Sequence, residues 1–301
     1  MYRIRRWPGK EGVDMTYELP ENIDARPVVV IGGGTLGRRI AAVFAAGGAA
    51  VRLVDLAPEQ RASATAFVNE LVPQLREQRG QAASSIDFTA FATAEEAVPG
   101  SWLVIEAVPE RLDIKRPLFG TLDRIADADA LLATNSSSYA SREVITEVTH
   151  PERVLNMHFA MPPQSMAVEL MTDGQTADGV MDLLDAQLRR YGLLPFIAHA
   201  ESTGFIFNRI WAAIKRESLT VVAEGVSTPA DVDGIMKANM GIAAGPFALM
   251  DQVGLDVVLD IEEHYLAQYP WLPATARDFV KSYVDAGKLG RKSGEGFYRY
   301  E

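Results

Sequence analysis

A glycine-rich stretch near the start of the chain has the residue types that bind a phosphate group. Gly32, Gly34 and Gly37 follow an apolar run and precede an Ala-rich segment. Between a strand and a helix, glycines at this spacing permit a tight turn and let a pyrophosphate approach main-chain N–H groups. The helix N-terminus favours an anion, so the sequence predicts cofactor contacts at these glycines and at Thr35 and Leu36.

An acidic residue about twenty positions further on indicates which nucleotide would bind. Asp55 follows a second apolar run, where its carboxylate can accept hydrogen bonds from both hydroxyls of an adenosine ribose. The same charge would repel a 2′-phosphate, and Arg52 lies within the strand, so NAD is favoured over NADP. The alternative is a sharp turn followed by a surface acid that binds no nucleotide.

A histidine and a glutamate farther along the chain could carry out proton transfer. His158 ends a predicted strand, and histidine is the side chain best suited to accept an alcohol proton near neutral pH. Glu169 interrupts an apolar strand, where a buried carboxylate needs a partner, and it could orient the imidazole. The alternatives are a core histidine with its hydrogen bonds satisfied and an edge-strand carboxylate that faces water.

The remaining histidines and the composition favour no metal or thiol site. His150, His199 and His264 have the surroundings of surface or capping residues, and neither HxxxH nor HExxH occurs in the chain. The chain contains no Cys, so a disulfide framework and a thiol nucleophile are excluded. We therefore expect no metal site.

Charge and hydropathy argue against a nucleic-acid or membrane partner. With 29 basic and 40 acidic residues the net charge is −11, which disfavours a general nucleic-acid or anionic-membrane surface. No apolar run approaches the roughly 18 residues of a membrane span, and no apolar segment follows the basic start. We expect a soluble cytoplasmic protein whose partner is a small molecule.

Apolar strands alternate with amphipathic helical segments through the first two-thirds of the chain, which is typical of a parallel α/β sheet. Strands are predicted at 27–31, 50–54, 101–106, 131–134, 153–158, 166–171 and 193–198, and helices at 35–47, 58–79, 112–127 and 176–190. From Thr203 to Phe279 the periodicity is helical, without a convincing strand. We expect an N-terminal arm over 1–26, a sheet domain over 27–200 and an all-helical domain over 201–301.

Seven motifs in colinear order resemble the 3-hydroxyacyl-CoA dehydrogenase family over about residues 27–301. They are GGGTLG, EAVPERLDIKRPLF, ATNSSS, HF-x-x-PP, STGFIFNRIW, AAGPFALMDQVGLD and GKLGRKSGEGFY. The resemblance implies an α/β fold, a Rossmann-like, doubly wound, mostly parallel sheet followed by an all-helical C-terminal domain that forms a homodimer interface. It also implies reversible NAD-dependent oxidation of an (S)-3-hydroxyacyl thioester to its 3-oxo form.

The resemblance assigns roles to individual residues. His158 matches the catalytic base and Glu169 the acid paired with it. Ser137 matches the hydroxyl that contacts the substrate oxygen and the nicotinamide, and Asn208 matches the amide that binds substrate. The positions that match cofactor contacts are Glu110, Lys115 and Lys292.

Simpler structural roles are the alternatives for these matched residues. Ser137 could be a helix N-cap, and Asn208 could be a helix residue bonded to the backbone. Lys115 and Lys292 could be solvated surface cations.

The chain departs from the family pattern at two places near the predicted active site. His158 and Glu169 are eleven residues apart rather than the usual twelve, so the loop containing Pro162 and Pro163 must absorb the difference if they pair. Met161 stands where the family often has an Asn that contacts the cofactor.

A third departure leaves the substrate class open. The helix after Asp55 has no Lys for CoA phosphates, and its basic residues Arg61, Arg76 and Arg79 are interpreted as a solvated helix face. One hypothesis is a 3-hydroxyacyl-CoA dehydrogenase. A second is a dehydrogenase of a free 3-hydroxy acid, similar to the gulonate and carnitine dehydrogenases of the same family. A third is a protein that binds NAD without catalysis.

Overall fold

The computed structural model describes residues 17–82 and 84–300, which form two compact units. The first unit ends at Phe205 and the second begins at Ile206. Most of the N-terminal arm expected over 1–26 lies outside the described residues.

The first unit is built on an eight-stranded sheet. Its strands are β1 (Val28–Ile31), β2 (Val51–Val54), β3 (Phe88–Phe91), β4 (Leu103–Glu106), β5 (Leu131–Thr134), β6 (Val154–Phe159), β7 (Ala167–Met171) and β8 (Leu194–Ala198). Its helices are α1 (Thr35–Ala46), α2 (Pro58–Gln78), α3 (Ala94–Ala97), α4 (Leu112–Ile125), α5 (Ser141–Val144) and α6 (Val180–Arg190). The predicted alternation of strands and helices is confirmed.

The strand order is β3-β2-β1-β4-β5-β6-β7-β8, and every neighbouring pair is parallel except β6 and β7, which are antiparallel. The order reverses between β1 and β4, so the loops that follow these two strands leave the same edge of the sheet in different directions. Ligands of doubly wound sheets bind at such a switch point. The predicted Rossmann-like fold class is confirmed.

Both faces of the sheet are covered, which explains the continuous apolar strands. Val28 and Val30 of β1 belong to one core cluster, and Val29 and Ile31 belong to the other. All four side chains are at most 5% exposed. Because successive side chains of a strand point to opposite faces, one short strand contributes to both cores.

The segment before β1 is attached to the sheet unit by a polar cluster. The Arg26 guanidinium forms two bonds with the Asp129 carboxylate, Nη1 to Oδ2 at 2.5 Å and Nη2 to Oδ1 at 2.8 Å. The Tyr17 hydroxyl donates a hydrogen bond to the main-chain oxygen of Asp129, 2.5 Å away. Residues 17–26 are therefore part of the first unit.

The second unit is helical in the part of the chain that the structure describes. Its helices are α7 (Phe207–Ala223), α8 (Pro229–Met240), α9 (Pro246–Val253), α10 (Leu255–Gln268) and α11 (Thr275–Asp285). Leu219, Phe247, Leu255 and Val280 are buried at the centre of this bundle. The predicted helical region after the sheet is confirmed, and the boundary expected at residue 200 stays a prediction.

Some short elements were not predicted. β3 is an edge strand whose FTAF sequence is only partly buried, so its apolar pattern is weak. α3 and α5 have four residues each, too few to show a helical period. Within residues 17–82 and 84–300, no helix combines the length and apolar character that a bilayer span requires.

Candidate active site and cofactor-binding crevice

The turn between β1 and α1 can be made only with glycine at two of its positions. Gly32 has φ of +108°, and a Cβ there would lie 2.6 Å from the main-chain oxygen of Ala107. A Cβ on Gly37 would lie 1.9 Å from the Gly32 oxygen. The first glycine therefore permits the turn, and the third lets α1 pack against it.

The start of α1 fits a nucleotide pyrophosphate. A Cβ built on Gly34 would meet no atom within 4 Å, so the main chain there is open to a ligand. Among the described residues no side chain caps this helix N-terminus, which leaves N–H groups to bind an anion. The Asp55 carboxylate lies beside the turn, where it accepts hydrogen bonds from the N–H groups of Gly33 at 2.7 Å and Ala57 at 2.9 Å.

The Arg52 guanidinium is engaged by main-chain oxygens of the fold. Its Nη1 donates hydrogen bonds to the main-chain oxygens of Ala97 at 2.8 Å and Pro99 at 2.9 Å. Those bonds tie β2 to the loop before β4. Asp55 as the ribose ligand of NAD stays a prediction.

A buried ion-pair network lies on the other side of the switch point. Glu106, at the end of β4, is 0% exposed, and its carboxylate accepts hydrogen bonds from Lys115 Nζ at 2.7 and 2.9 Å. Thr134 Oγ1 and the Val108 N–H also donate to Glu106, at 2.7 and 2.8 Å. Lys115 Nζ lies 3.0 Å from Glu110 Oε2 as well. Lys115 is therefore a buried, paired cation and not the solvated one considered as an alternative.

Glu110 connects this network to the loop after β5, residues 135–140, which we call the serine loop. Its Oε1 accepts hydrogen bonds from the Ser136 hydroxyl and from the Ser138 N–H. Ser137 lies between them and is exposed. It is not the N-cap of α5, because Ala140 occupies that position. Glu110 thus shapes the loop that presents Ser137.

Two asparagines brace the same loop. Asn135 Oδ1 accepts a hydrogen bond from the Phe159 N–H at 2.9 Å, which joins the loop to the residue after His158. The Asn156 side chain donates to the Tyr139 oxygen at 2.9 Å and accepts from the Ser141 N–H at 2.7 Å. The serine loop and the carboxyl end of β6 are therefore held together.

His158 and Glu169 are opposite each other on the antiparallel pair β6–β7. Nδ1 of His158 lies 3.0 Å from Glu169 Oε2, and the imidazole is 14% exposed while the carboxylate is 8% exposed. The eleven-residue spacing is thus compatible with pairing, because the 160–166 connection keeps the two strands in this register. When Nδ1 carries the proton and donates a hydrogen bond to Glu169, Nε2 is unprotonated and can accept a proton.

Two further contacts hold the imidazole and its connection in place. The ring of Phe205 lies 5.1 Å from the His158 ring, with an angle of 31° between their planes. Arg39 of α1 donates from Nη1 to the Pro162 oxygen at 3.1 Å and to Gln164 Oε1 at 3.2 Å. Helix α1 is therefore bonded to the segment that joins His158 to Glu169.

The three arginines considered as a CoA handle are used by the fold. Arg61 donates to the main-chain oxygen of Asp55 at 2.7 Å. Arg76 is 7% exposed and donates to the oxygens of Ser84 and Ala45 at 2.7 and 2.9 Å. Arg79 donates to the Tyr191 oxygen at 3.0 Å. The interpretation as a solvated helix face is wrong for Arg76, which is buried.

The other two predicted site residues belong to the second unit. Asn208 lies in the first turn of α7 and is half-buried. Lys292 forms an ion pair with Asp256, and both side chains are more than 40% exposed. Their roles toward substrate and cofactor stay predictions from the resemblance.

Sequence reasoning missed several residues that position the site. These are Glu106, Asn135, Asn156 and Phe205. A polar residue within or directly after an apolar strand is the signal that could have identified the first three, since a buried polar group needs a partner. Among the described residues no group of three or more His, Asp or Glu side chains could hold a metal ion.

Comparison with known proteins covers both units. Residues 27–200 match the family model of the 3-hydroxyacyl-CoA dehydrogenase NAD-binding domain, and residues 204–300 match that of its C-terminal domain. The chain is 33% identical over 294 residues to a probable 3-hydroxybutyryl-CoA dehydrogenase of Bacillus subtilis (strain 168), covering 93% of this chain and 99% of the relative.

A second relative and a solved structure have names that state two different substrates. The chain is 32% identical over 288 residues to a 5-formyl-3-hydroxy-2-methylpyridine 4-carboxylate 5-dehydrogenase of Mesorhizobium japonicum, covering 91% of each chain. The solved structure of (S)-3-hydroxybutyryl-CoA dehydrogenase PaaH1 from Ralstonia eutropha matches with a TM-score of 0.81 and 28% identity, over 92% of this chain and 99% of that one. The chain therefore belongs to the 3-hydroxyacyl-CoA dehydrogenase family and is an NAD-dependent oxidoreductase that acts on CH–OH groups.

Proposed function

We propose that the enzyme oxidises an (S)-3-hydroxyacyl-CoA to the 3-oxoacyl-CoA, with His158 as the general base. The observation that carries this proposal is the 3.0 Å contact between His158 Nδ1 and Glu169 Oε2. The pair lies near the carboxyl end of β6, at the same edge of the sheet as the glycine turn after β1. An imidazole oriented by a carboxylate at that edge is suited to remove an alcohol proton.

Residues of the chain are proposed to transfer the proton and to stabilise the charge. Bound NAD supplies the acceptor for the hydride that leaves C3. We infer that Nε2 of His158 accepts the hydroxyl proton while Glu169 stabilises the imidazolium that forms. Ser137 is proposed to donate a hydrogen bond to the substrate oxygen. Asn208 is proposed as a second donor on the resemblance alone.

Cofactor binding is proposed for residues of both units. The glycine turn from Gly32 to Gly37 would hold the pyrophosphate, and Asp55 would hold the adenosine ribose. Glu110 and Lys115 would act through the serine loop, since the Lys115 ammonium is already bound by two carboxylates. Lys292 keeps its proposed cofactor contact on the resemblance alone.

The experiment compares wild type with His158→Gln in an assay of NADH absorbance with 3-hydroxybutyryl-CoA. We expect kcat to fall by about 10²- to 10⁴-fold, the usual contribution of a general base. NADH binding, followed by fluorescence, should stay nearly unchanged, because no proposed dinucleotide contact is removed. Full activity in the variant would contradict the role of His158.

A free 3-hydroxy acid is the second candidate substrate, and two observations favour it. The arginines in and directly after α2 are engaged by main-chain oxygens, so they are poorly placed to meet CoA phosphates. The name of the Mesorhizobium relative states a substrate that is a pyridine carboxylate and not a thioester. A panel of 3-hydroxyacyl-CoA and free 3-hydroxy acids separates the two, and NADH binding without turnover on any of them would support a non-catalytic protein.

We also infer a homodimer and a cytoplasmic location, as the sequence predicts. Several apolar side chains of the helical unit are more than half exposed, among them Ile210, Ile235, Met240, Val253 and Trp271. A second copy of the chain could cover them. Light scattering on the full chain measures the mass, and cell fractionation measures the location.

A further inference from the structure

The helical unit contains three charged side chains that no catalytic step proposed above uses. Lys215 is on α7 and Glu262 is on α10, and they are 5% and 1% exposed. Both occupy apolar stripes of their helices. The buried face of α7 includes Ala212 and Leu219 on either side of Lys215, spaced by three and four residues. Arg216, the third residue, follows Lys215.

The bonds within this cluster leave polar atoms of both charges without partners. Arg216 Nε lies 2.9 Å from Glu262 Oε2, and the Arg216 guanidinium lies 5.3 Å from the centre of the Tyr265 ring. Arg216 Nη2 and Glu262 Oε1 are buried and have no hydrogen-bond partner in the described part of the chain. Within residues 17–82 and 84–300, the Lys215 ammonium also makes neither a hydrogen bond nor an ion pair.

Burial without a partner is unfavourable for an ammonium group. Burial is the main reason that the pKa of Lys215 is lowered, while nearby Glu262 opposes the shift and Arg216 adds to it. Burial also raises the pKa of Glu262. With all three groups charged, the cluster carries a net charge of +1, so a bound anion would neutralise it.

A charged residue at a core position contradicts the local pattern of its helix, and such conflicts concentrate at functional sites. A purely structural role would require a close ion pair, which Arg216 forms with Glu262 but Lys215 does not. The unpartnered groups are one ammonium, one guanidinium nitrogen and one oxygen of Glu262. The two cationic groups match a carboxylate.

The position of Lys215 on α7 indicates where on the substrate this carboxylate would lie. Lys215 follows Asn208 by seven residues, so the two lie on the same face of α7 and are separated by about 10 Å along its axis. Side chains tilt towards the N-terminus of a helix, which brings the Lys215 ammonium closer to the Asn208 turn. A medium-length acyl chain is therefore needed to span the remaining distance.

We propose that Lys215 and Arg216 bind a carboxylate at the far end of the substrate's acyl chain. This inference rests on the proposed function only in so far as Asn208 binds the substrate oxygen. The enzyme would then select acyl groups with two acidic ends over acyl groups that end in a methyl group.

Binding of unreactive ligands tests the proposal without turnover. The full chain is titrated by calorimetry with adipyl-CoA and suberyl-CoA, and with hexanoyl-CoA and octanoyl-CoA as matched ligands of equal carbon number. Free adipate and hexanoate form a second pair that lacks CoA. We expect at least one ω-carboxylate ligand to bind about tenfold or more tightly than its methyl-terminated counterpart.

The variants are Lys215→Met, which keeps the apolar stem, and Lys215→Gln, which keeps hydrogen bonding without charge. Each should bring the affinity for the ω-carboxylate ligand down to that for the matched ligand. Lys281→Met, which removes an exposed lysine of the same unit, should leave the ratio unchanged. The thermal unfolding midpoint of Lys215→Met should stay equal to wild type or rise, whereas a purely structural lysine would lower it.

The outcomes separate this site from the dehydrogenase proposal. Equal affinities within every pair, or a preference that survives both Lys215 variants, would overturn the carboxylate site. A preference for adipate over hexanoate that depends on Lys215, with no CoA ligand bound, would support the carboxylate site and contradict a CoA substrate. A Lys215-dependent preference in a protein that oxidises no substrate would support the site and contradict the proposed function.

Discussion

The Glu169 carboxylate lies directly across the β6–β7 pair from the His158 imidazole, with 3.0 Å between Oε2 and Nδ1. The Glu169 side chain is 8% exposed, so its charge is poorly screened by water. Replacing Glu169 with Gln keeps the shape of the side chain and removes the charge that would stabilise an imidazolium. We expect kcat to fall by about 10²-fold with NADH affinity unchanged, measured by steady-state kinetics and fluorescence titration. A variant with wild-type kcat would contradict a catalytic role for the pair of His158 and Glu169.

Replacing Gly34 or Gly37 with Ala adds the same methyl group but should have different effects on stability and NADH binding. A Cβ at Gly34 meets no protein atom, so Gly34→Ala should fold normally and weaken NADH binding about tenfold or more. A Cβ at Gly37 meets the Gly32 oxygen, so Gly37→Ala should lose about 1–3 kcal/mol of unfolding free energy. Urea unfolding and NADH titration on both variants measure these effects. Equal losses of stability would refute this division of roles.

Lys115 is 1% exposed between the carboxylates of Glu106 and Glu110. Lys115→Met would leave the fully buried Glu106 charge without its main partner, which should cost about 3–5 kcal/mol in urea unfolding. Adding Glu106→Gln to that variant removes the stranded charge and should restore part of the loss. If Lys115→Met were as stable as wild type, Lys115 would not be the structural cation that we describe.

The Arg26–Asp129 pair should make stability depend on pH in acid. The hydrogen-bonded Arg26 guanidinium holds the pKa of the Asp129 carboxyl below its usual value. Because the pKa is lower in the folded state, the stabilisation is complete above the unfolded pKa, about 3.9, and is lost as pH falls through the folded pKa. Asp129→Asn should therefore be about 1 kcal/mol less stable than wild type at pH 7, with the gap closing in acid.

Urea unfolding between pH 7 and pH 3 checks this prediction. Asp185→Asn is the matched control, because Asp185 pairs with Arg189 on an exposed helix face and should change little. A stability gap between wild type and Asp129→Asn that does not depend on pH would rule out the charge as its source.

Local sequence was enough to predict the fold class and the nucleotide-binding turn. Glycines at 32, 34 and 37 and an acid at 55 act through neighbouring main chain, and the alternation of apolar strands with helices is a short-range pattern. The short edge strand β3 was not predicted, because its side chains are only partly buried and its apolar pattern is correspondingly weak.

The partners of the charged side chains were decided by the tertiary structure. Sequence named Glu169 as a candidate partner for His158, but only the register of β6 and β7 brings the two together, since a shift of one residue would turn one side chain to the opposite face. Likewise, nothing local distinguishes a solvated lysine from Lys115, which is buried between two carboxylates, or from Lys215, which is buried without an ion pair in the described part of the chain. The charge of a residue is a property of its type, whereas its burial and its counter-charge depend on segments far away in the chain.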